Sequence, residues 1–152
     1  MGLTDIVERG VEGTFSKINE IRLNPTPAIT NSMQFAMYNF AMQVGEVLQR
    51  TPLKNTWLSG HLSDVGLSGV LTSMGLLVSG KDKVARALSS ILVPIALTLH
   101  EYYPVIHPEE GVFDYQDIAC YWVAAAATYL VSELSHSEKF QKAVSKYINE
   151  KF

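Results

Sequence analysis

From Leu23 to Gly45 the chain carries no charged side chain. Three further uncharged runs follow, Val65 to Gly80, Ala87 to Leu99 and Ile118 to Ser132, and none alternates apolar with polar residues as a half-buried strand would. Helical signals recur nearly everywhere along the chain and strand alternation is almost absent, so the chain reads as helical. We therefore expect an all-α protein with a four-helix core over residues 29–134. The core runs are about Ile29 to Arg50, Trp57 to Ser79, Val84 to Tyr103 and Gln116 to Leu134. Before the core, Leu3, Ile6, Val7, Val11, Phe15 and Ile18 recur at helical spacing opposite Glu8, Glu12 and Lys17. This predicts an amphipathic helix over residues 1–22, ended by Pro25 and Pro27. After the core, residues 136–151 align Phe140, Val144 and Ile148 as an amphipathic tail, with Ser135 and Glu138 spaced as a capping box at its start.

A length of 152 residues fits one domain, read here as residues 1–152. The net charge of -3 gives no basic footprint for nucleic acid. The one cysteine, Cys120, cannot form an internal disulfide. The N-terminus has acids early and no continuous apolar stretch, so no secretory signal is read there. No phosphate loop, dinucleotide fingerprint, His-Glu-x-x-His or nucleophile elbow occurs, so no cofactor is expected and no named catalytic motif supports an enzyme.

Whether the helices bury one another or enter a bilayer is argued from length and charge. Three of the uncharged runs fall short of the ~20 residues of a full crossing, which favours a soluble bundle. The basic residues argue the other way. If four segments cross alternately from a cytoplasmic N-terminus, ten of the twelve basic residues lie on the inner side, and only Arg50 and Lys54 lie outside. Glu101 to Asp117 contains no Lys or Arg. Trp57, Tyr102, Tyr103, Tyr115, Tyr121 and Trp122 would gather at the outer interface. The expectation is a multi-pass membrane protein with both termini cytoplasmic and the lipid bilayer as its main partner.

That topology brings distant polar residues to one level. Glu46 lies at the outer end of the first span, His61 and Asp64 at the start of the second, His100 and Glu101 at the end of the third, and Asp114 and Asp117 at the start of the fourth. The pairs His61/Asp64 and Asp114/Asp117 are spaced i,i+3, on one face of a helix. Carboxylates and imidazoles gathered in this way can bind a polar ligand, hold a divalent metal or act as an acid/base pair. Structural readings stand beside each. Asp114 suits an N-cap, Asp117 a first-turn acid, and His61 with Asp64 an ordinary helix-start pair. His107, Glu109 and Glu110 suit a solvated, proline-bounded loop.

Glu101 at the end of an apolar helix, the polar loop after it and GVFDYQDIACYWVAAAA from Gly111 resemble the closing motif of VanZ-like membrane proteins, over about a quarter of the chain. The HLSD stretch from His61 is similar to that family's earlier histidine near an aspartate, with the order altered. The chain departs from the pattern at Tyr103 and Pro104, where a glutamine belongs, at the loop arginine, which is absent, and at Tyr121, where an asparagine is usual. The resemblance implies a small helical protein embedded in a membrane, in a family with a founding role in glycopeptide-antibiotic resistance.

The leading expectation is a binding or accessory role at the cell envelope, on a lipid-linked or apolar small molecule, at Glu46, His61, Asp64, His100, Glu101, Asp114 and Asp117. Two others stand beside it. One is a metal-dependent membrane hydrolase using His61, Asp64, His100, Glu101 and Asp117. The other is a soluble bundle that binds an apolar ligand or a partner helix. An oligomer is compatible with all three.

Overall fold

A computed structural model describes residues 25–103 and 114–151. The expected amphipathic helix of residues 1–22 and the loop residues His107, Glu109 and Glu110 lie outside them. Every regular element among the described residues is helical: α1 (Pro25–Gln49), a 3-10 turn (Pro52–Asn55), α2 (Trp57–Ser79), α3 (Lys83–Tyr102), α4 (Tyr115–His136) and α5 (Glu138–Lys151). The all-α class is therefore shown, with five α-helices among these residues.

Local chemistry sets the helix boundaries. Pro25 and Pro27 do not precede α1 but stand in its first turn, four residues before the expected start at Ile29. A first-turn N–H has no partner within the helix, so proline loses nothing there. Thr56 caps α2 by accepting from the Ser59 N–H at 3.3 Å, and Gly80, at φ 56°, closes it. Asp82 then accepts from the Val84 and Ala85 N–H groups at 2.9 and 3.1 Å, so α3 turns back directly against α2. Asp114 caps α4 from Gln116 N–H at 2.7 Å. The cap of α5 is Ser137, whose Oγ accepts from Phe140 N–H at 3.3 Å. Ser135 instead donates to the Ser132 carbonyl inside α4, because that helix continues to His136. The expected Ser135/Glu138 capping box does not form.

The four long helices pack with α2 and α4 at the centre, each touching α1 and α3, while α5 packs on the end of α4. Glycine makes the closest interface. A Cβ on Gly45 would stand 2.6 Å from the Ser63 nitrogen, one on Gly66 2.5 Å from the Met42 nitrogen, and one on Gly69 would overlap the Tyr38 ring. At these three positions only hydrogen fits, and α1 lies almost backbone to backbone on α2. On the other side of α2, a Cβ on Gly75 would stand 2.8 Å from Cβ of Ser89 in α3.

The distribution of polarity is inverted relative to a protein folded in water. The apolar core is small: Tyr38, Val70 and Ala124, with Phe35 and Val65 against them. Around it the buried residues include Asn31, Gln34, Ser59, His61, Ser68, Thr72, Ser73, Arg86, Thr128, Ser132 and Ser135. The outward faces carry Ile29, Met33, Met37, Phe40, Val78, Val84, Leu88, Leu92, Val123 and Leu130, all exposed. Most buried hydroxyls return their proton to a carbonyl one turn back, as Ser73 does to Gly69 and Thr128 to Ala124, both at 2.7 Å. Ser68 instead reaches across to the Tyr121 carbonyl at 2.7 Å and ties α2 to α4. Among the described residues three helices, α2, α3 and α4, are long and apolar enough to cross a membrane. The runs judged short from the sequence lie inside helices of 23, 20 and 22 residues, whose ends add ionisable residues such as Asp64, Arg86, Glu101, Asp117 and Glu133. The expected fourth span, α1, is absent from that group, because Asn31, Gln34, Asn39, Gln43 and Glu46 lower its hydropathy.

Candidate functional site

The N-terminal ends of α2 and α4 and the C-terminal end of α3 meet at one end of the bundle, hereafter the mouth. Capping brings them there: Thr56 starts α2 and Asp114 starts α4 at matching heights, so His61 and Asp117, one turn in, face each other. His61 Nδ1 and Asp117 Oδ1 are 2.6 Å apart. His61 is only 7% exposed, which makes this a charge-assisted contact shielded from water. The Trp57 ring lies 4.9 Å from the imidazole at a tilt of 53°, and its Nε1 donates to Gln116 Oε1 at 2.9 Å. Trp57 and Gln116 thus close the rim over the His61–Asp117 pair.

A second arm of the site lies one turn deeper. The Tyr121 hydroxyl donates to Glu101 Oε1 at 2.7 Å and stands 3.4 Å from Asp64 Oδ1. Asp64 in turn faces Asp117, Glu101 and His61. Four carboxylates, Asp64, Glu101, Asp114 and Asp117, therefore share a small volume with one imidazole and one phenol. Their mutual repulsion rises as water is excluded, so such a set favours whatever brings positive charge to it.

Of the residues singled out from the sequence, five come together: His61, Asp64, Glu101, Asp114 and Asp117. Two do not. Glu46 is exposed on α1 and forms no hydrogen bond or ion pair with the group. His100 neighbours Glu101, but successive helical residues point about 100° apart. With Glu101 turned to Tyr121, the His100 Nε2 is buried with no partner and joins nothing in the cluster. Asp114 fills both roles weighed for it, since it caps α4 and also offers an oxygen beside His61 and Asp117, the three candidate ligand atoms lying within 4.8 Å of one another.

Donor type suits these three residues to a divalent ion of the zinc or manganese kind. Two ligands about 2.1 Å from a tetrahedral ion stand about 3.4 Å apart, whereas His61 Nδ1 and Asp117 Oδ1 are closer than that. The geometry as it stands is that of an aspartate orienting a histidine, with the other ring nitrogen left for the chemistry.

Tyr121 was the residue misjudged from the sequence, where it was placed in an interfacial aromatic belt. It is 4% exposed and links two carboxylates. The spacing signal was present: Tyr121 follows Asp117 by one helical turn and so shares its face. Arg86, counted as an inner-side charge, likewise points inward. It is 4% exposed, with Nε donating to Glu133 Oε1 at 2.7 Å and Nη1 to the Gly80 carbonyl at 3.0 Å, at the end of the bundle away from the mouth. No family model, curated protein or solved structure matches this chain.

Proposed function

We propose that the chain is a polytopic membrane protein whose mouth binds the polar, positively charged head of an amphiphile while the surrounding apolar faces accommodate its tail. The observation that carries this reading is the inverted polarity, with hydroxyl, amide and ionic groups buried inside a shell of Ile, Leu, Met, Phe and Val. In water that shell is costly and the buried polar groups gain nothing, whereas in lipid both follow from the solvent. The same argument extends to α1 as a fourth span. Its Asn31 and Gln34 face inward and its Ile29, Met33, Met37 and Phe40 face out, so its low hydropathy comes partly from residues that lipid would not touch. With both termini cytoplasmic, the mouth opens on the outer side, where Trp57, Tyr102, Tyr103 and Tyr115 stand exposed around it. The resemblance to VanZ-like proteins, which includes Glu101, Asp114 and Asp117, supports the same location.

A second reading, a metal-dependent membrane hydrolase, is favoured by the proximity of His61, Asp114 and Asp117. In it these three residues hold the ion and Asp64, Glu101 and Tyr121 position the substrate.

Location is tested by fractionation. The protein is expected to sediment with membranes, resist extraction by alkaline carbonate and require detergent to stay dispersed. Recovery as a monodisperse protein without detergent would overturn the membrane reading and favour the soluble bundle.

A further inference from the structure

α5 stands outside the bundle, and its substantial packing is with the end of α4 alone. Along it Phe140, Val144 and Tyr147 recur at i, i+4 and i+7, which puts them within about 60° of one another on one face. Val144 is half-buried, but Phe140 is 44% exposed and Tyr147 61%. A helix of 14 residues is marginal in water on its own and depends on covering such a stripe. Among the described residues no other helix packs substantially on it.

Position and charge indicate what does. α4, one of the helices able to cross a membrane, ends at His136, and the single extended residue Ser137, at φ −70° and ψ 135°, redirects the chain before α5 starts at Glu138. α5 therefore begins within one residue of the point where a span would leave the hydrocarbon. With four lysines and two glutamates in 14 residues it is too charged to cross. Lys139, Lys142 and Lys146 are exposed and stand about 100–160° round the helix from Phe140, beside and behind the stripe. Two of them make i,i+4 pairs, Lys142 with Glu138 at 3.6 Å and Lys146 with Glu150 at 3.8 Å, but all four side chains are exposed and such pairs hold little.

The Arg86–Glu133 pair joins the start of α3 to the end of α4, so Lys81 and Lys83, both exposed, belong to this same end of the bundle. Apart from that pair, α5 and residues 81–83 together carry six lysines and three carboxylates, Asp82, Glu138 and Glu150. The mouth, at the opposite end, gathers Asp64, Glu101, Asp114 and Asp117. An apolar stripe with surplus lysine around it, at the depth where hydrocarbon meets water, is complementary to an anionic lipid surface.

We propose that α5 lies in the plane of the membrane at the end away from the mouth, with Phe140, Val144 and Tyr147 among the acyl chains and its lysines on the headgroups of anionic lipids. The proposal rests on the membrane reading above. It is tested on the full chain, in a Cys120→Ala background, reconstituted into vesicles of phosphatidylcholine alone or mixed with phosphatidylglycerol. A nitroxide on Tyr147→Cys is expected to be reached by oxygen and shielded from a water-soluble nickel chelate, at about 5–10 Å inside the headgroup boundary, and one on Lys142→Cys to show the reverse. Phosphatidylglycerol is expected to deepen the label on Tyr147→Cys. Combining Lys139→Gln, Lys142→Gln and Lys146→Gln, or raising the salt, is expected to remove that dependence. Phe140→Cys is the second labelling site should Tyr147→Cys fail to fold. A label equally open to the chelate in both lipids, one shielded from oxygen and chelate alike by a second copy, or a depth indifferent to phosphatidylglycerol would overturn the proposal and leave the membrane reading standing. Failure of the chain to enter vesicles at all would overturn both.

Discussion

At the scale of single residues, Asp114 and Asp117 differ in what their carboxylates hold. Asp114 caps α4 just ahead of its first turn and bonds a backbone N–H, whereas Asp117, inside that turn, bonds an imidazole. Asp114→Ala should lower stability by about 1 kcal/mol through loss of the cap. Asp117→Asn keeps the shape but removes the charge that orients His61, and should weaken binding of zinc or manganese at the mouth by about 10–100-fold with little change in stability. Titration calorimetry beside denaturation distinguishes the two. Metal binding untouched by Asp117→Asn would exclude His61 and Asp117 as its site. The convergence of His61, Asp64, Glu101, Asp114 and Asp117 was legible in the sequence, because helical phasing and an alternating path bring helix ends together. The rotation of each helix was not. That is why His100 was grouped with Glu101, why Tyr121 was assigned to the interfacial aromatic belt, and why Glu46 was included although its face of α1 is exposed.

At the scale of elements, the α1–α2 pair depends on atoms that are not there. Gly69→Ala would drive a methyl into the Tyr38 ring, and the two backbones would have to part. The expected cost is about 1–3 kcal/mol, read as a lower unfolding midpoint in detergent. Gly60, on the same helix, has nothing within 4 Å of its missing Cβ. Gly60→Ala should therefore be neutral, or stabilising by up to about 1 kcal/mol through helix propensity. Equal effects at the two positions would mean that propensity, not contact, decides. The helices themselves were readable from their apolar runs, and the start of α4 from Asp114. The boundaries missed were those where one residue type has two meanings. Proline both ends and opens helices, and in SHSEKF either Ser135 or Ser137 could have been the cap.

At the scale of the whole molecule, topology is the open prediction, and the sequence provides a clean background for it. Cys120, the only cysteine, is 8% exposed. A cysteine introduced at Glu109 should react with an impermeant reagent from outside intact cells, and one at Lys83 should not. The reverse pattern would invert the bundle in the membrane. The charge asymmetry behind this expectation is weaker than the residue count implies, since Arg86 is withdrawn into an ion pair and does not face headgroups. What the sequence could not reveal was the inverted interior, because a serine in a helix reads the same whether it faces a neighbour or lipid.

The unequal anchoring of α3 bears on how the mouth could change. Only 11% of its apolar window is buried, against 39% for α2 and for α4, so it is the least embedded of the three. The Arg86 bonds to Glu133 and to the Gly80 carbonyl hold one end of α3, and the Tyr121–Glu101 bond ties the other to the mouth. Swinging α3 outward would release Glu101 from Tyr121 and unseal the mouth without disturbing the glycine-packed pair of α1 and α2.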